Sequence, residues 1–320
     1  MSIAVIGRGL WGAAATRHLA MAGQDVTLIG PSEPHDKRSH SGVFGSHYDE
    51  GRITRKNALD AYWVGVSTAA IDRYPEIERQ SGIRFYTETG AVMAGGKDFM
   101  ARVDVGRLKH NVPCDALDAT GLAARFPFFR FPEHFTGYHE QTRGGHISPR
   151  NLVAAQTQAA QSFGVAMLDE TVAGLEEHAD HIEVATDQGR HRFDRVLVAA
   201  GYNTDTVLAR APRLDVYART VVFFEVSETE AARLNTMPTL VYDTPEDPYL
   251  LPPIRYPDGR IYLKLGGDPE DVPLVGQQEI GDWFRAGGNP QVRDHLHGMI
   301  RELMPCLLYT SDAADEYQRV

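Results

Sequence analysis

The chain opens with Ile3-Ala-Val-Ile6, Gly7-Arg-Gly-Leu-Trp-Gly12 and Ala13-Ala-Ala-Thr-Arg-His-Leu-Ala20, and this stretch decides the fold. The four apolar residues predict a buried parallel strand, and the alanine-rich segment has the composition of a helix. A strand, a G-x-G-x-x-G turn and a helix in this order form a dinucleotide-binding fingerprint. The alternative, a glycine-rich turn with a purely structural role, is the less favoured interpretation.

Each glycine of the turn has a role that the fingerprint explains. Gly7 permits the tight turn, Gly9 lets a pyrophosphate approach the backbone, and Gly12 lets the helix lie close to the strand. Leu10 and Trp11 lie at the helix N-terminus, which offers unpaired N–H groups and a partial positive charge to phosphates. We therefore predict that this turn binds a dinucleotide.

Composition excludes several classes of partner. The 320 residues carry a formal charge of −11 and no offsetting basic stretch, which argues against nucleic acid and anionic membranes. No apolar run approaches the roughly 18 residues that a membrane span needs. The first strand begins at residue 3, which leaves no room for a targeting peptide, and the cysteines Cys114 and Cys306 predict a reducing compartment. We expect a cytoplasmic protein.

The end of the chain has an unusual sequence. Residues 306–316 read CLLYTSDAADE, which resembles the translation of a transposase mosaic end used in sequencing libraries. We therefore expect the native reading frame to stop near Pro305 and residues 306–320 to be a non-native, adapter-derived tail. The alternative is a genuine acidic tail.

The second strand, predicted at 25–29, lacks the acidic residue that usually follows it. Dinucleotide sites place an Asp or Glu there to bind ribose hydroxyls, and this chain has Gly30. Glu33 is a possible substitute. Lys37 and Arg38 instead suit a 2′-phosphate, so an NADP site stays open.

Two arginines stand three residues apart in a segment that leads into a predicted helix. On a helical turn, Arg52 and Arg55 would point to one side and could bind a carboxylate or phosphate together. The alternative, which spacing alone slightly favours, is surface pairing with Glu50 and Asp60.

The second half of the chain is rich in strands. Residues 193–201 form a second apolar strand that ends in small residues, and 249–253 and 261–266 predict a hairpin. Period two separates Lys264 from the apolar face of its strand, and spacing alone favours the solvent face over burial. Acidic and histidine residues at 176–181 have metal-ligand types, but a hairpin tip shares that composition, so we predict no metal.

Taken together, separated motifs resemble the FAD-dependent amine and amino-acid oxidases of the sarcosine oxidase and D-amino-acid oxidase group, from residue 2 to about 305. The motifs are Gly7-Arg-Gly-Leu-Trp-Gly12, Ser39-His40-Ser41-Gly42, Arg52-Ile-Thr-Arg55, Val198-Ala-Ala200-Gly201, Tyr217-Ala-Arg219 and Leu263-Lys-Leu-Gly266. The resemblance implies an α/β fold with a Rossmann-like FAD-binding domain of the GR2 type, residues 1–83 and 145–217. It also implies an α+β substrate domain on a mostly antiparallel sheet, residues 84–144 and 218–305.

The resemblance further implies a chemistry and a set of roles. A small amine or amino acid would pass a hydride equivalent from its C–N unit to flavin N5, giving an imine, and O2 would then take the electrons and form H2O2. Arg55 would bind the substrate carboxylate, Arg52 would sit on the flavin side, Lys264 would assist the oxygen step, and Tyr249 would line the pocket. The cofactor contacts would come from Gly7, Gly9, Leu10, Trp11, Gly12, Ser39, His40, Ser41, Arg52, Ala200 and Gly201.

Three departures leave alternatives open. The family's C-terminal segment, which completes the FAD domain, is absent, so the chain is expected to be truncated. Gly30 replaces the ribose-binding acid, and Asp268 stands where sarcosine oxidases carry a histidine. The alternatives are an NAD(P)-dependent reductase, a dehydrogenase that passes electrons to a carrier, and an inactive fragment.

Overall fold

A computed structural model of the chain describes residues 1–210, 212–309 and 317–319. The strands are β1 (Ser2–Ile6), β2 (Asp25–Ile29), β3 (Arg52–Thr54), β4 (Tyr86–Glu88), β5 (Ala91–Gly95), β6 (Asp115–Leu117), β7 (Thr136–Glu140), β8 (Gly145–Ile147), β9 (Ala166–Leu168), β10 (Val172–Glu177), β11 (Ile182–Thr186), β12 (Arg190–Phe193), β13 (Arg195–Val198), β14 (Val216–Val226), β15 (Thr239–Tyr242), β16 (Tyr249–Arg255), β17 (Ile261–Gly266), β18 (Val272–Leu274) and β19 (Tyr317–Arg319). The helices are α1 (Leu10–Met21), α2 (Ala61–Ile71), α3 (Tyr74–Ser81), α4 (Lys97–His110), α5 (Ala119–Arg125), α6 (Pro149–Gln161), α7 (Thr204–Val207), α8 (Glu228–Arg233), α9 (Gly276–Arg285) and α10 (Pro290–Leu303).

A parallel sheet with the order β13-β1-β2-β9 forms around the amino-terminal strand. Successive side chains of β1 point to opposite faces of this sheet, and both faces are apolar. Ala4 and Ile6 pack with residues of the β10–β12 sheet, and Val5 packs on the opposite face with Leu19 of α1. The predicted fingerprint order of strand, turn and helix is therefore confirmed.

A larger sheet has the order β18-β14-β17-β16-β15-β5-β7-β6, and β19 pairs with β14. All of its pairings are antiparallel except β15 with β5. Its main core contains Phe126, Phe128 and Phe129. The α/β fold with a mostly antiparallel second sheet is thus confirmed.

The predicted domain boundaries stay a proposal. They assign the parallel sheet to residues 1–83 with 145–217 and the larger sheet to residues 84–144 with 218–305. The predicted tail includes residues 310–316 and 320, which lie outside the described residues, so its origin also stays a prediction. No helix within the described residues is long and apolar enough to cross a membrane.

The segment around Arg52 corrects the sequence analysis. Residues 52–54 form β3, which pairs with β8, and the helix begins only at Ala61, where the Asp60 side chain accepts from the Tyr62 N–H. Period-two strand geometry, not a helical turn, therefore governs Arg52 and its neighbours.

Candidate active site

The glycine-rich turn packs against the end of β13. Gly7 has φ 107°, and a Cβ there would lie 2.2 Å from the Ala199 carbonyl oxygen. A Cβ on Gly12 would lie 1.7 Å from the Gly7 carbonyl oxygen, so α1 reaches β1 this closely only with glycine. The same packing brings the predicted contact Ala200 beside the turn, and Gly201 is the next residue in the chain.

The open side of the turn faces His47, a half-buried histidine. At Gly9, the nearest atom to an added Cβ is His47 Nδ1, at 3.8 Å. This nitrogen is buried and has no hydrogen-bond partner among the described residues, and burial lowers the pKa of His47 to about 4. A glycine cradle with an unsatisfied nitrogen beside it fits the phosphates of a dinucleotide. Leu10 lies half-buried and Trp11 exposed at the same helix N-terminus.

The loop containing Ser39, His40 and Ser41 is anchored on both sides. Ser39 Oγ donates to Asp36, the His40 carbonyl accepts from Arg285 at 2.9 Å, and Ser41 is exposed. The loop continues to Phe44, whose N–H donates to the Tyr202 hydroxyl at 3.0 Å and whose ring stacks on Phe284. Since Tyr202 follows Gly201 directly, the loop is tied to the carboxyl end of β13.

Lys264 is buried, with 1% of its surface exposed, so the solvent-face expectation from spacing was wrong. Ile261, Leu263 and Leu265 share the main core, as the alternation predicted. The opposite face, which carries Lys264, is covered by residues 49–51. The ammonium donates to the Asp49 carboxylate and, at 2.7 Å, to the Gly51 carbonyl.

Asp49 is the partner that the sequence analysis missed. Its carboxylate accepts from Lys264, from the Tyr256 hydroxyl at 3.1 Å and from the backbone N–H groups of Glu50 and Gly51. Burial of an ammonium is tolerated when a carboxylate pairs with it. The two residues are 215 positions apart, so no local pattern could have linked them.

The two arginines have separate surroundings. Arg52 lies on β3, where its Nη2 donates to the Ser46 carbonyl at 2.7 Å. Arg55 lies beyond the strand end, and its buried Nε has no hydrogen-bond partner among the residues that the structure describes. Burial lowers the pKa of Arg55, and the nearby Glu140 carboxylate opposes this shift. The helical turn assumed for joint binding by the two arginines is therefore wrong, because residues 52–54 form a strand.

The alternative pairings also differ from expectation. Glu50 binds Arg150 and the Ser148 hydroxyl, and Asp60 caps α2. In the described part of the chain, these contacts join Glu50 to residues 148 and 150, and Asp60 to the start of its own helix.

Tyr249 is a neighbour of Lys264 on the larger sheet. Tyr249 pairs with Gly266, while Leu251 pairs with Lys264, so Tyr249 and Lys264 are diagonal neighbours on one face. A Cβ at Gly266 would lie 2.4 Å from the Tyr249 hydroxyl oxygen, so the Tyr249 side chain occupies the space over this glycine. Lys264 and Tyr249 thus lie in one region, and the Gly51 carbonyl, next to Arg52 in the chain, contacts Lys264 there.

Glu33 was the candidate for ribose binding, and Lys37 and Arg38 were the candidates for 2′-phosphate binding. Arg150 binds both oxygens of Glu33, at 2.7 and 2.8 Å. Lys37 turns inward to the Tyr48 carbonyl, and burial lowers its pKa to about 8, whereas Arg38 is exposed. The structure does not bring Lys37 and Arg38 together as a phosphate site.

The chain is similar to known proteins in family, sequence and fold. A family model described as "FAD dependent oxidoreductase" matches residues 2–318. Monomeric sarcosine oxidase of Streptomyces avermitilis is 28% identical over 203 residues, covering 62% of this chain and 51% of the relative. N-methyl-L-tryptophan oxidase of Yersinia pestis is 23% identical over 249 residues, covering 76% and 64%. The chain therefore spans about half to two thirds of the length of these relatives.

Solved structures share the fold. NikD, described as an unusual amino acid oxidase essential for nikkomycin biosynthesis, has a TM-score of 0.74 at 22% identity, covering 99% of this chain and 81% of that chain. L-proline dehydrogenase from P. horikoshii has a TM-score of 0.76 at 18% identity, with coverage of 99% and 80%. At these identities the likeness concerns the fold alone.

Proposed function

The chain belongs to the family of FAD-dependent oxidoreductases, and from that premise we propose that it oxidises the C–N bond of a small amine or amino acid to an imine. O2 is the proposed acceptor and H2O2 the product. FAD, when bound, supplies the two-electron acceptor for the substrate. The chain's own residues have to hold the cofactor, orient the substrate and stabilise charge in the oxygen step.

The observation that carries this proposal is the buried ammonium of Lys264. It lies 2.7 Å from the carbonyl of Gly51, the residue directly before Arg52. Electron transfer to O2 first creates negative charge, and a fixed cation in a dry site stabilises such charge more than it would in water. Asp49 supports this role because it holds the ammonium in one place.

Arg55 is the proposed ligand of the substrate carboxylate. A guanidinium stays charged in proteins and matches a carboxylate with paired N–H donors. Its buried Nε has no partner among the described residues, and a bound carboxylate would supply one. Tyr249, beside Lys264, is the proposed wall of the pocket.

The proposed cofactor contacts begin at the glycine-rich turn. Gly7, Gly9 and Gly12 form the cradle for the pyrophosphate, with Leu10 and Trp11 at the helix N-terminus. Ser39, His40, Ser41, Ala200, Gly201 and Arg52 complete the proposed contacts. His47 joins them because its Nδ1 lies beside Gly9.

The test uses the purified chain and a panel that begins with sarcosine and N-methyl-L-tryptophan, since two relatives are named for these N-methyl amino acids. We expect flavin absorption in the purified protein, bleaching by a substrate without air, and peroxide on admitting air. Amines that leave bound flavin oxidised would contradict the proposal. Reduction of a dye without peroxide would replace O2 by a carrier.

Lys264→Met separates the two half-reactions. We expect reoxidation by O2 to slow by about 10²–10³-fold, with a smaller effect on reduction by substrate. Lys109→Met, at an exposed position of α4, is the matched control and should leave both rates unchanged. Equal losses in both half-reactions would show that Lys264 acts on substrate binding or folding instead.

A further inference from the structure

The parallel sheet lacks the usual ribose-binding acid, and the structure gives a reason. A Cβ at Gly30 would lie 2.8 Å from the backbone nitrogen of Arg8 and 2.9 Å from its Cβ. Arg8 is part of the glycine-rich turn, so the turn occupies the space into which a side chain at position 30 would project. An acid therefore does not fit there without displacing the cradle.

The neighbouring strand brings a carboxylate to the same place. β9 pairs in parallel with β2, with Ile29 opposite Leu168, and the Gly30 N–H donates to the Leu168 carbonyl at 3.1 Å. Asp169 follows β9 directly. Since parallel strands end at the same edge of a sheet, Asp169 lies next to the position of the missing acid.

Asp169 is held in a small polar cluster that remains open to solvent. Its Oδ1 accepts from the Ser32 N–H at 2.9 Å, and its Oδ2 accepts from the Ser32 hydroxyl. Arg8 Nη1 lies 3.0 Å from Ser32 Oγ and 3.6 Å from Asp169 Oδ2. The hydrogen bond from the Ser32 side chain holds the pKa of Asp169 below its usual range, so the group is a carboxylate at neutral pH. The Asp169 side chain is 58% exposed, which leaves acceptor positions facing outward.

We infer that Asp169, held by Ser32 and Arg8, binds the ribose hydroxyls of the adenosine half of FAD in place of the acid absent at Gly30. A carboxylate has about four acceptor positions, so it can accept from Ser32 and from a ribose diol together. The same negative charge disfavours a 2′-phosphate, so this site selects against an NADP-type ligand. The inference rests on FAD binding and not on the proposed amine chemistry.

The test measures how far the preference for ADP over its deoxy analogues requires the Asp169 carboxylate. Calorimetry with the full chain compares ADP, 2′-deoxy-ADP and 3′-deoxy-ADP as probes of the adenosine half. A hydrogen bond to a charged group predicts that wild type binds ADP about 10- to 100-fold more tightly than at least one deoxy analogue. In Asp169→Asn we expect weaker ADP binding and loss of most of that discrimination. FMN, which lacks the adenosine half, should bind both proteins equally.

Matched variants separate a binding role from a folding defect. Asp25→Asn alters an exposed aspartate at the opposite end of the same sheet and should behave like wild type. Ser32→Ala keeps the charge but removes the hydroxyl that orients it, so we expect a partial loss of discrimination. Thermal melting of each variant identifies misfolding.

Three outcomes would overturn the inference. They are absent ADP binding by wild type, equal binding of ADP and both deoxy analogues, and undiminished discrimination in Asp169→Asn. Tighter binding of adenosine 2′,5′-bisphosphate than of ADP would instead identify a 2′-phosphate site. If the amine panel is inactive while the ribose discrimination holds, the proposed reaction fails and this site stands.

Discussion

Two aspartates of this chain, Asp169 and Asp49, show how position in the fold decides what a carboxylate can do. Asp169 ends a strand of the parallel sheet with 58% of its side chain exposed, while the side chain of Asp49 is 6% exposed beneath the antiparallel sheet. Asp169 keeps acceptor positions that face solvent, which suits a ligand. Asp49 directs its oxygens to protein donors, so it acts through Lys264.

The largest expected effect comes from breaking the buried pair. Asp49→Asn removes the carboxylate that pairs with the buried Lys264 ammonium, and such changes cost about 3–5 kcal/mol in the free energy of unfolding. Denaturant unfolding measures this loss. The double variant Asp49→Asn with Lys264→Met removes both charges, and we expect it to be more stable than the Asp49→Asn single variant.

The double variant is also the sharpest control. If it is as unstable as the sum of the two single variants, the pair does not interact as the geometry indicates. A marginal loss of unfolding free energy in the Asp49→Asn single variant would mean that water reaches Lys264. Asp49 would then not differ from Asp169 in its exposure to water.

The same contrast explains how much the sequence could predict. The glycine-rich turn is contiguous, so its strand, helix and close packing could be read from residues 3–20. The mostly antiparallel second sheet was implied only by the family resemblance. Alternation on β17 correctly divided its two faces. It could not show that residues 49–51 cover the second face, because that contact depends on tertiary packing.

Errors and omissions in the site have the same origin. Arg52 and Arg55 have a spacing that fits one helical face, but pairing of β3 with β8 imposes an extended backbone. The sequence did not indicate Asp169, because the strand before Gly30, with which β9 pairs, is far away in the chain. The family resemblance corrected the local preference for an exposed Lys264, since separated motifs carry information about contacts that periodicity lacks.

Burial also decides the protonation of a histidine. His146, on β8, is 8% exposed, and burial lowers its pKa to about 4 from 6.5. The unfolded chain therefore binds more protons as the pH falls below 6.5, so the contribution of neutral His146 is complete above that pH and lost towards pH 4. At about 1.4 kcal/mol per pH unit, the loss reaches up to about 3 kcal/mol.

Unfolding free energies between pH 7 and pH 4 test this effect. His146→Gln should flatten the pH dependence, whereas His35→Gln, at an exposed loop position, should leave the slope as in wild type. An unchanged slope in His146→Gln would contradict a neutral, buried histidine at this position.

The smallest effect is expected at an ion pair on the surface. Arg255 and Glu228 form a salt bridge in which the side chains are 54% and 75% exposed. Water screens such a pair, so Glu228→Gln should change the free energy of unfolding by less than about 1 kcal/mol, and the change should shrink further at high salt. Arg255 is the last residue of β16, and β16 pairs with β17, which carries Lys264. The exposed and the buried ion pair can therefore be compared within one sheet. A loss in Glu228→Gln as large as that in Asp49→Asn would mean that charge pairing stabilises this sheet irrespective of burial, and the distinction between the two aspartates would have to rest on ligand binding alone.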